Sequence, residues 1–192
     1  MTDKRIQIIV EIALAIALAA VLNMLKIWRM PNAGTVSFVM LPLIVIALRR
    51  GLLVGLATGA LYGVVDFVID PFPPVHWLQP LLDYPLAYGS VGLAGLVSPL
   101  WRTAVGRGSK TAAFAWIALA CTIAACVRYG AHVASGVLFF AEYAPENQSP
   151  LLYSALYNLY VPASGVLAAA AATVVLPTLQ RAVPVETTRA LT

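Results

Sequence analysis

The sequence predicts an all-α integral membrane protein, a bundle of six transmembrane helices with almost no soluble part. Three observations predict it. First, 61% of the 192 residues are hydrophobic and only 10% are charged, with a mean hydropathy of +0.87. An ordinary soluble domain carries roughly 45–50% apolar and about 25% charged residues. So few charges cannot cover a water-facing surface, which excludes a soluble enzyme or a nucleic-acid-binding domain. Second, the apolar residues fall into six runs, several of them near the ~20 residues that cross a bilayer. Third, the basic residues collect on alternate connections, so the net charge of +4 reads as basic loops on one face of a membrane. Gly, Pro and Cys are too sparse for a collagen-like, disordered or disulfide-stapled chain.

The spans follow in order. The first covers 6–25, interrupted only by Glu11 and Asn23. It is too long for a signal peptide and no small-residue cleavage site follows it. Pro31-Asn32-Ala33-Gly34 marks a loop, and the second span, 36–48, is short and stops at Arg49-Arg50-Gly51. The third, 52–69, ends at Asp70-Pro71-Phe72-Pro73-Pro74, through which no helix continues. The fourth covers 77–97 and leads into a basic loop from Arg102 to Lys110. The fifth, 111–141, is longer than one crossing needs, so its end tilts or projects. A polar stretch, Glu142 to Pro150, precedes the sixth span at 151–179. No linker divides the chain, which reads as one membrane domain, 1–192.

Charge then orients the bundle. Lys4, Arg5, Arg49, Arg50, Arg102, Arg107, Lys110, Arg181 and Arg189 fall on one side, and the opposite loops carry only Lys26 and Arg29 with Asp70, Glu142 and Glu146. Positive charge is retained inside, which places both termini in the cytoplasm and requires an even number of spans. Cys121 and Cys126 lack metal-ligand spacing and read as packing thiols. No metal, cofactor, nucleophile–base or nucleotide-binding pattern is present, so the chain does not power transport with ATP by itself.

Ionisable groups inside spans are costly and therefore informative. Asp83 is either half of a structural ion pair with Arg128 or the counter-ion of a cationic ligand. Arg128, His132, Gly136 and Phe140 recur every fourth residue and form one stripe, whose cation, imidazole, aromatic face and gap suit a pocket wall. Tyr153, Tyr157 and Tyr160 share a face and read either as an interfacial aromatic belt or as pocket residues. Asn158 lies about 140° from Tyr153 on an ideal helix, so both reach one pocket only if the helix starts later or the pocket wraps around its end. One carboxylate, several rings, an imidazole and an amide together suit a small, flat, cationic ligand. In the first span Ala13 and Ala17, and Ala15 and Ala19, are small-xxx-small pairs that serve internal packing or a docking partner.

In order and spacing these residues resemble the thiamine-specific S component of energy-coupling factor (ECF) transporters, bacterial vitamin importers. The resemblance runs over nearly the whole chain: Glu11-Ile12-Ala13, Leu48-Arg49-Arg50-Gly51-Leu52, Asp83-Tyr84, Gly92-Leu93-Ala94-Gly95-Leu96, Tyr129-x-x-His132-x-x-x-Gly136, Tyr143-Ala144, Tyr153-Ser154 and Asn158. It implies a six-helix substrate-binding subunit in the bacterial cell membrane, with the site near the external face. That subunit works with a separate transmembrane scaffold and two cytoplasmic ATPases. It further implies Asp83 against the thiazolium, Tyr84 beside it, His132 on the bound rings with Arg128 one turn before, and Tyr153 and Asn158 from the last helix. The docking motif falls on Ala13 and Ala17. Four positions depart from the family: Asp83 replaces Glu, Phe140 replaces a ring-stacking Trp, Tyr62 replaces a third-span Trp, and no aromatic stands near Ala33, where Trp28 or Phe38 is the nearest substitute. The ligand is thus thiamine or a close relative. The competing class, a self-sufficient secondary transporter or channel, calls for coupling-ion sites or broken-helix repeats that the sequence lacks.

Overall fold

A computed structural model describes residues 2–31 and 34–184. Ala33 and Arg189, which figure in the expectations above, lie outside them. Six helical runs are present among the described residues, in the expected order. Four are long and apolar enough to cross a membrane: Lys4–Met24, Leu52–Ile69, Lys110–Phe139 and Pro150–Ala182.

Helix α1 (Thr2–Met24) buries one narrow stripe, Ala15, Ala19 and Asn23, and exposes Leu14, Leu18 and Val21. Its connection to the next helix contains a two-residue hairpin, β1 (Trp28–Arg29) antiparallel to β2 (Thr35–Val36), with Trp28 opposite Val36. Helix α2 (Met40–Arg50) has only 11 residues, yet eight of them are buried. It is the central post of the bundle, enclosed by its neighbours, and so does not need the length of a lipid-facing span. Gly51, at φ +93°, turns the chain directly into α3 (Leu52–Ile69) in a conformation that a β-carbon disfavours.

The fourth run is continuous but irregular. It begins as α4 (Gln79–Leu81), widens into a π-helical segment (Leu82–Leu86), returns to α5 (Ala87–Val91), tightens to a 3₁₀ segment (Gly92–Val97) and ends as α6 (Ser98–Gly106). Pro85 explains the widening: it has no N–H and its ring collides with the carbonyl four residues back, so an α-helical ladder cannot pass. Helix α7 (Lys110–Phe139) has 30 residues, its N-terminus capped by the Ser109 hydroxyl. At 1.5 Å per residue it is about 45 Å long, well beyond the ~30 Å hydrocarbon core, as its apolar length predicts. The last run breaks in two, α8 (Pro150–Tyr157) and α9 (Tyr160–Ala182). Pro162 has no N–H to extend the α8 ladder, so the helix restarts.

The core joins α2, the fourth run, α7 and α9 through side chains such as Met40, Leu43, Trp101, Ile117 and Leu176, all buried. Outward, Leu53, Val68, Leu138, Val166 and Val174 stand exposed, a surface that only a bilayer accommodates.

One of two charge clusters corrects the reading of Arg49 and Arg50 as loop markers. Both belong to the last turn of α2, and Arg49 is 2% exposed. Glu11 of α1 accepts from Arg50 Nε at 2.7 Å and from Arg49 Nη2 at 3.4 Å. Arg49 also donates to the Val183 carbonyl at 3.0 Å, so one cluster ties α1, α2 and the end of α9. At the other end Asp70, closing α3, pairs with both Lys26 and Arg29. Of the two cysteines, Cys121 is buried while Cys126 lies on the outer surface.

Candidate functional site

A cavity of about 110 Å³ opens between the π-helical segment, the second half of α7 and the α8–α9 junction. The structure brings eight of the expected residues to its wall: Asp83, Tyr84, Arg128, His132, Gly136, Phe140, Tyr153 and Asn158.

Asp83 sits on the widened turn that Pro85 imposes, and its two oxygens are separately held. Gln79 Nε2 donates to Oδ2 at 3.2 Å, and His132 Nδ1 lies 3.3 Å from Oδ1. The ion pair with Arg128 that the sequence left open is not formed. Instead Arg128 Cζ lies 4.2 Å from the centroid of the Tyr88 ring. Its Nε, the Nε2 of His132 and the Ser135 hydroxyl are all buried without a hydrogen-bond partner among the described residues. Polar groups left unmatched in a buried wall cost free energy, which a polar ligand recovers by hydrogen-bonding to them. Three carboxyl groups, Asp66, Asp70 and Asp83, line the cavity against the single guanidinium of Arg128, and Asp70 is already paired.

Aromatic faces bound the space. Phe140, at the end of α7, faces Phe72 with centroids 6.2 Å apart and Tyr143 at 5.6 Å. His132 tilts against Tyr160 at 5.9 Å. Tyr84 accepts a hydrogen bond from the Phe72 amide at 3.2 Å and donates to the Asp70 carbonyl at 3.4 Å, so it fastens the proline-rich connection beside the cavity.

The break between α8 and α9 resolves the geometry of Tyr153 and Asn158. Asn158 caps α8, where Nδ2 donates to the Ser154 carbonyl at 2.9 Å and to the His132 carbonyl at 3.3 Å. The pocket wraps around this helix end, and both residues reach it. Gly136 makes the junction fit: a β-carbon there would come within 2.9 Å of Ser154 Cβ. Ser154 itself donates to the Val133 carbonyl at 2.9 Å.

Tyr62 is placed differently. It is fully buried behind the wall, its hydroxyl 3.0 Å from Asp66 Oδ1 and its ring edge-on to Tyr88 at 4.7 Å. Asp66 in turn accepts from Asn23 Nδ2 at 2.7 Å, which recruits α1 to the same polar network. Neither Trp28 nor Phe38 lines the cavity. Ala13 and Ala17 lie far from it in role, exposed on the outer face of α1, while Ala15 and Ala19 pack inward.

Sequence reasoning missed Gln79, Phe72, Ser154 and Ser135. The spacing of Gln79 and Asp83, one turn apart, was the available signal for the first. The others depended on how loops and helix ends meet. Tyr160, one of three tyrosines with a belt alternative, is 9% exposed and faces the cavity rather than the bilayer boundary.

The family model described as "Thiamine transporter protein (Thia_YuaJ)" matches residues 9–185 of this chain. Thiamine transporter ThiT of Bacillus subtilis is 34% identical over 158 residues, which cover 81% of this chain and 82% of that protein. Thiamine transporter ThiT of Lacticaseibacillus paracasei is 29% identical over 158 residues, covering 81% of this chain and 79% of its own length. A solved structure of ThiT from Listeria monocytogenes superposes with a TM-score of 0.85 at 26% identity, over 93% of this chain and 97% of that one.

Proposed function

We propose that this chain, which belongs to the thiamine transporter protein family and is no enzyme, captures thiamine or a close relative in the cavity around Asp83. The observation that carries the reading is the carboxylate of Asp83, held in place by Gln79 and His132 within a wall of aromatic rings. A fixed negative charge beside π-faces attracts a flat cation from two directions, and preorganisation by two partners reduces the entropy lost on binding. In this reading His132 and Phe140 bound the ligand's rings, and Phe72 and Tyr160 contribute further faces. Tyr84, Tyr153 and Asn158 hold polar groups or the backbone that carries them. Arg128 and Ser135 offer unmatched donors to acceptor atoms of the ligand. Tyr62 supports the wall from behind, through Asp66 and Tyr88, and Gly136 lets α8 approach closely enough to complete it.

The subunit works as the S component of an ECF-type importer. Ala13 and Ala17 form the flat outer face on which a transmembrane scaffold docks, and two cytoplasmic ATPases supply the energy that the chain has no motif to supply. Both termini lie in the cytoplasm, since most of the Lys and Arg residues stand on that side and only Lys26 and Arg29 on the other.

Isothermal titration of the detergent-solubilised chain with thiamine tests the ligand. Saturable one-to-one binding is expected, and no heat of binding with thiamine or its hydroxyethyl-thiazole and aminopyrimidine relatives overturns the assignment. Uptake by the purified chain alone in liposomes, without ATPases, would instead establish a self-sufficient transporter.

A further inference from the structure

A second cavity, of about 460 Å³, lies at the opposite end of α7, between α6, the start of α7 and the end of α9. We propose that it is a binding site for an anionic phospholipid, which seats its phosphate against Lys110 and Arg181 and its acyl chain along the apolar floor.

The polarity of the walls carries the proposal. Along α7 the lining runs from Lys110 at the mouth through Phe114 to Ile117, and along α9 from Arg181 through Pro177 to Thr173. Each series descends one helical turn per step, so charge stands at the rim and uncharged side chains about 10 Å deeper on both helices. Trp101 of α6 closes the third side. A phospholipid has the same gradient over the same length, a phosphate at one end and methylene chains below it. A free anion would need only the rim, and an apolar guest only the floor.

Charge complementarity singles out an anionic headgroup. The ion pairs described above use Glu11, Asp70 and Asp83. None of these pairs involves Lys110 or Arg181, the two cations that line the cavity. No carboxylate is among the cavity's lining residues. The positive end of the α7 dipole lies at the same rim, where Ser109 lines the cavity. Basic pockets between membrane helices at a charged leaflet are the setting in which lipid phosphates are recognised.

The site is independent of the cavity around Asp83. Lys110 and His132 are 22 residues apart on α7, which is about 33 Å along the helix axis.

Native mass spectrometry of the full chain, mixed in detergent with equal amounts of phosphatidylglycerol and phosphatidylcholine of matched acyl chains, tests the proposal. The wild-type chain should retain phosphatidylglycerol about tenfold over phosphatidylcholine. The double variant Lys110→Gln/Arg181→Gln should lose the preference, and Ile117→Trp, which fills the floor, should lower retention of both lipids. All three proteins should bind thiamine alike, which reports that they fold. Equal retention of the two lipids by the wild type, or an intact preference in the double variant, overturns the proposal. Unchanged retention in Ile117→Trp does so too. Inorganic phosphate that displaces the lipid completely would reduce the site to a simple anion pocket and equally overturn it.

Discussion

The imidazole Nδ1 of His132 lies 3.3 Å from Oδ1 of Asp83, although 49 residues separate them in sequence. This contact joins the π-helical segment to α7 and fixes the carboxylate that faces the cavity. It takes the place of the Asp83–Arg128 pair, and Arg128 rests over the Tyr88 ring instead.

From that geometry, Asp83→Asn removes the charge while keeping the shape. It should lower thiamine affinity by about tenfold to a hundredfold, the range of a charge-assisted contact. Calorimetric titration reads it, and an unchanged affinity would remove Asp83 as the counter-ion.

Gln79 holds the other oxygen of Asp83 and also accepts from the Val75 amide at 2.9 Å. Gln79→Ala should weaken binding about three- to tenfold, as befits one neutral hydrogen bond, while the chain still folds. If affinity is unaffected at an unchanged melting temperature, the residue only supports the turn.

Gly136 faces Ser154 so closely that Gly136→Ala should destabilise the protein by about 1–3 kcal/mol through overpacking. Thermal unfolding in detergent should show a lowered midpoint, recovered in part by Gly136→Ala/Ser154→Gly. A midpoint equal to the wild type would mean that α8 shifts freely.

The exposed alanines of α1 make a separate prediction. Ala13→Trp should leave ligand binding intact and abolish uptake in cells, because a bulky ring obstructs close helix docking. Loss of binding as well would show that the alanines serve the internal core.

Glu11 is the shared acceptor of Arg49 and Arg50 and links α1 to α2. Glu11→Ala should cost about 1–3 kcal/mol, since it removes the carboxylate shared by Arg50 and the almost fully buried Arg49 and leaves Arg49 only neutral acceptors. A chemical denaturation midpoint that does not move would show the cluster to be dispensable.

What the sequence by itself determined was the membrane class, the order of the six helical runs and the residue types of the site. Hydropathy is a local property, and apolar runs broken at Pro31, Gly51 and Asp70-Pro71 are visible without a fold. The stripe from Arg128 to Phe140 was equally legible, because helical spacing fixes which residues share a face. Tertiary structure decided the partners. It gave Asp83 to His132 and Gln79, drew Arg49 and Arg50 out of their supposed loop onto Glu11, and set Tyr62 behind the wall rather than in it. It also broke the last run at Asn158, which let residues about 140° apart on an ideal helix meet one cavity. These are contacts between distant segments, settled by which buried polar groups find one another, and no local pattern encodes that choice.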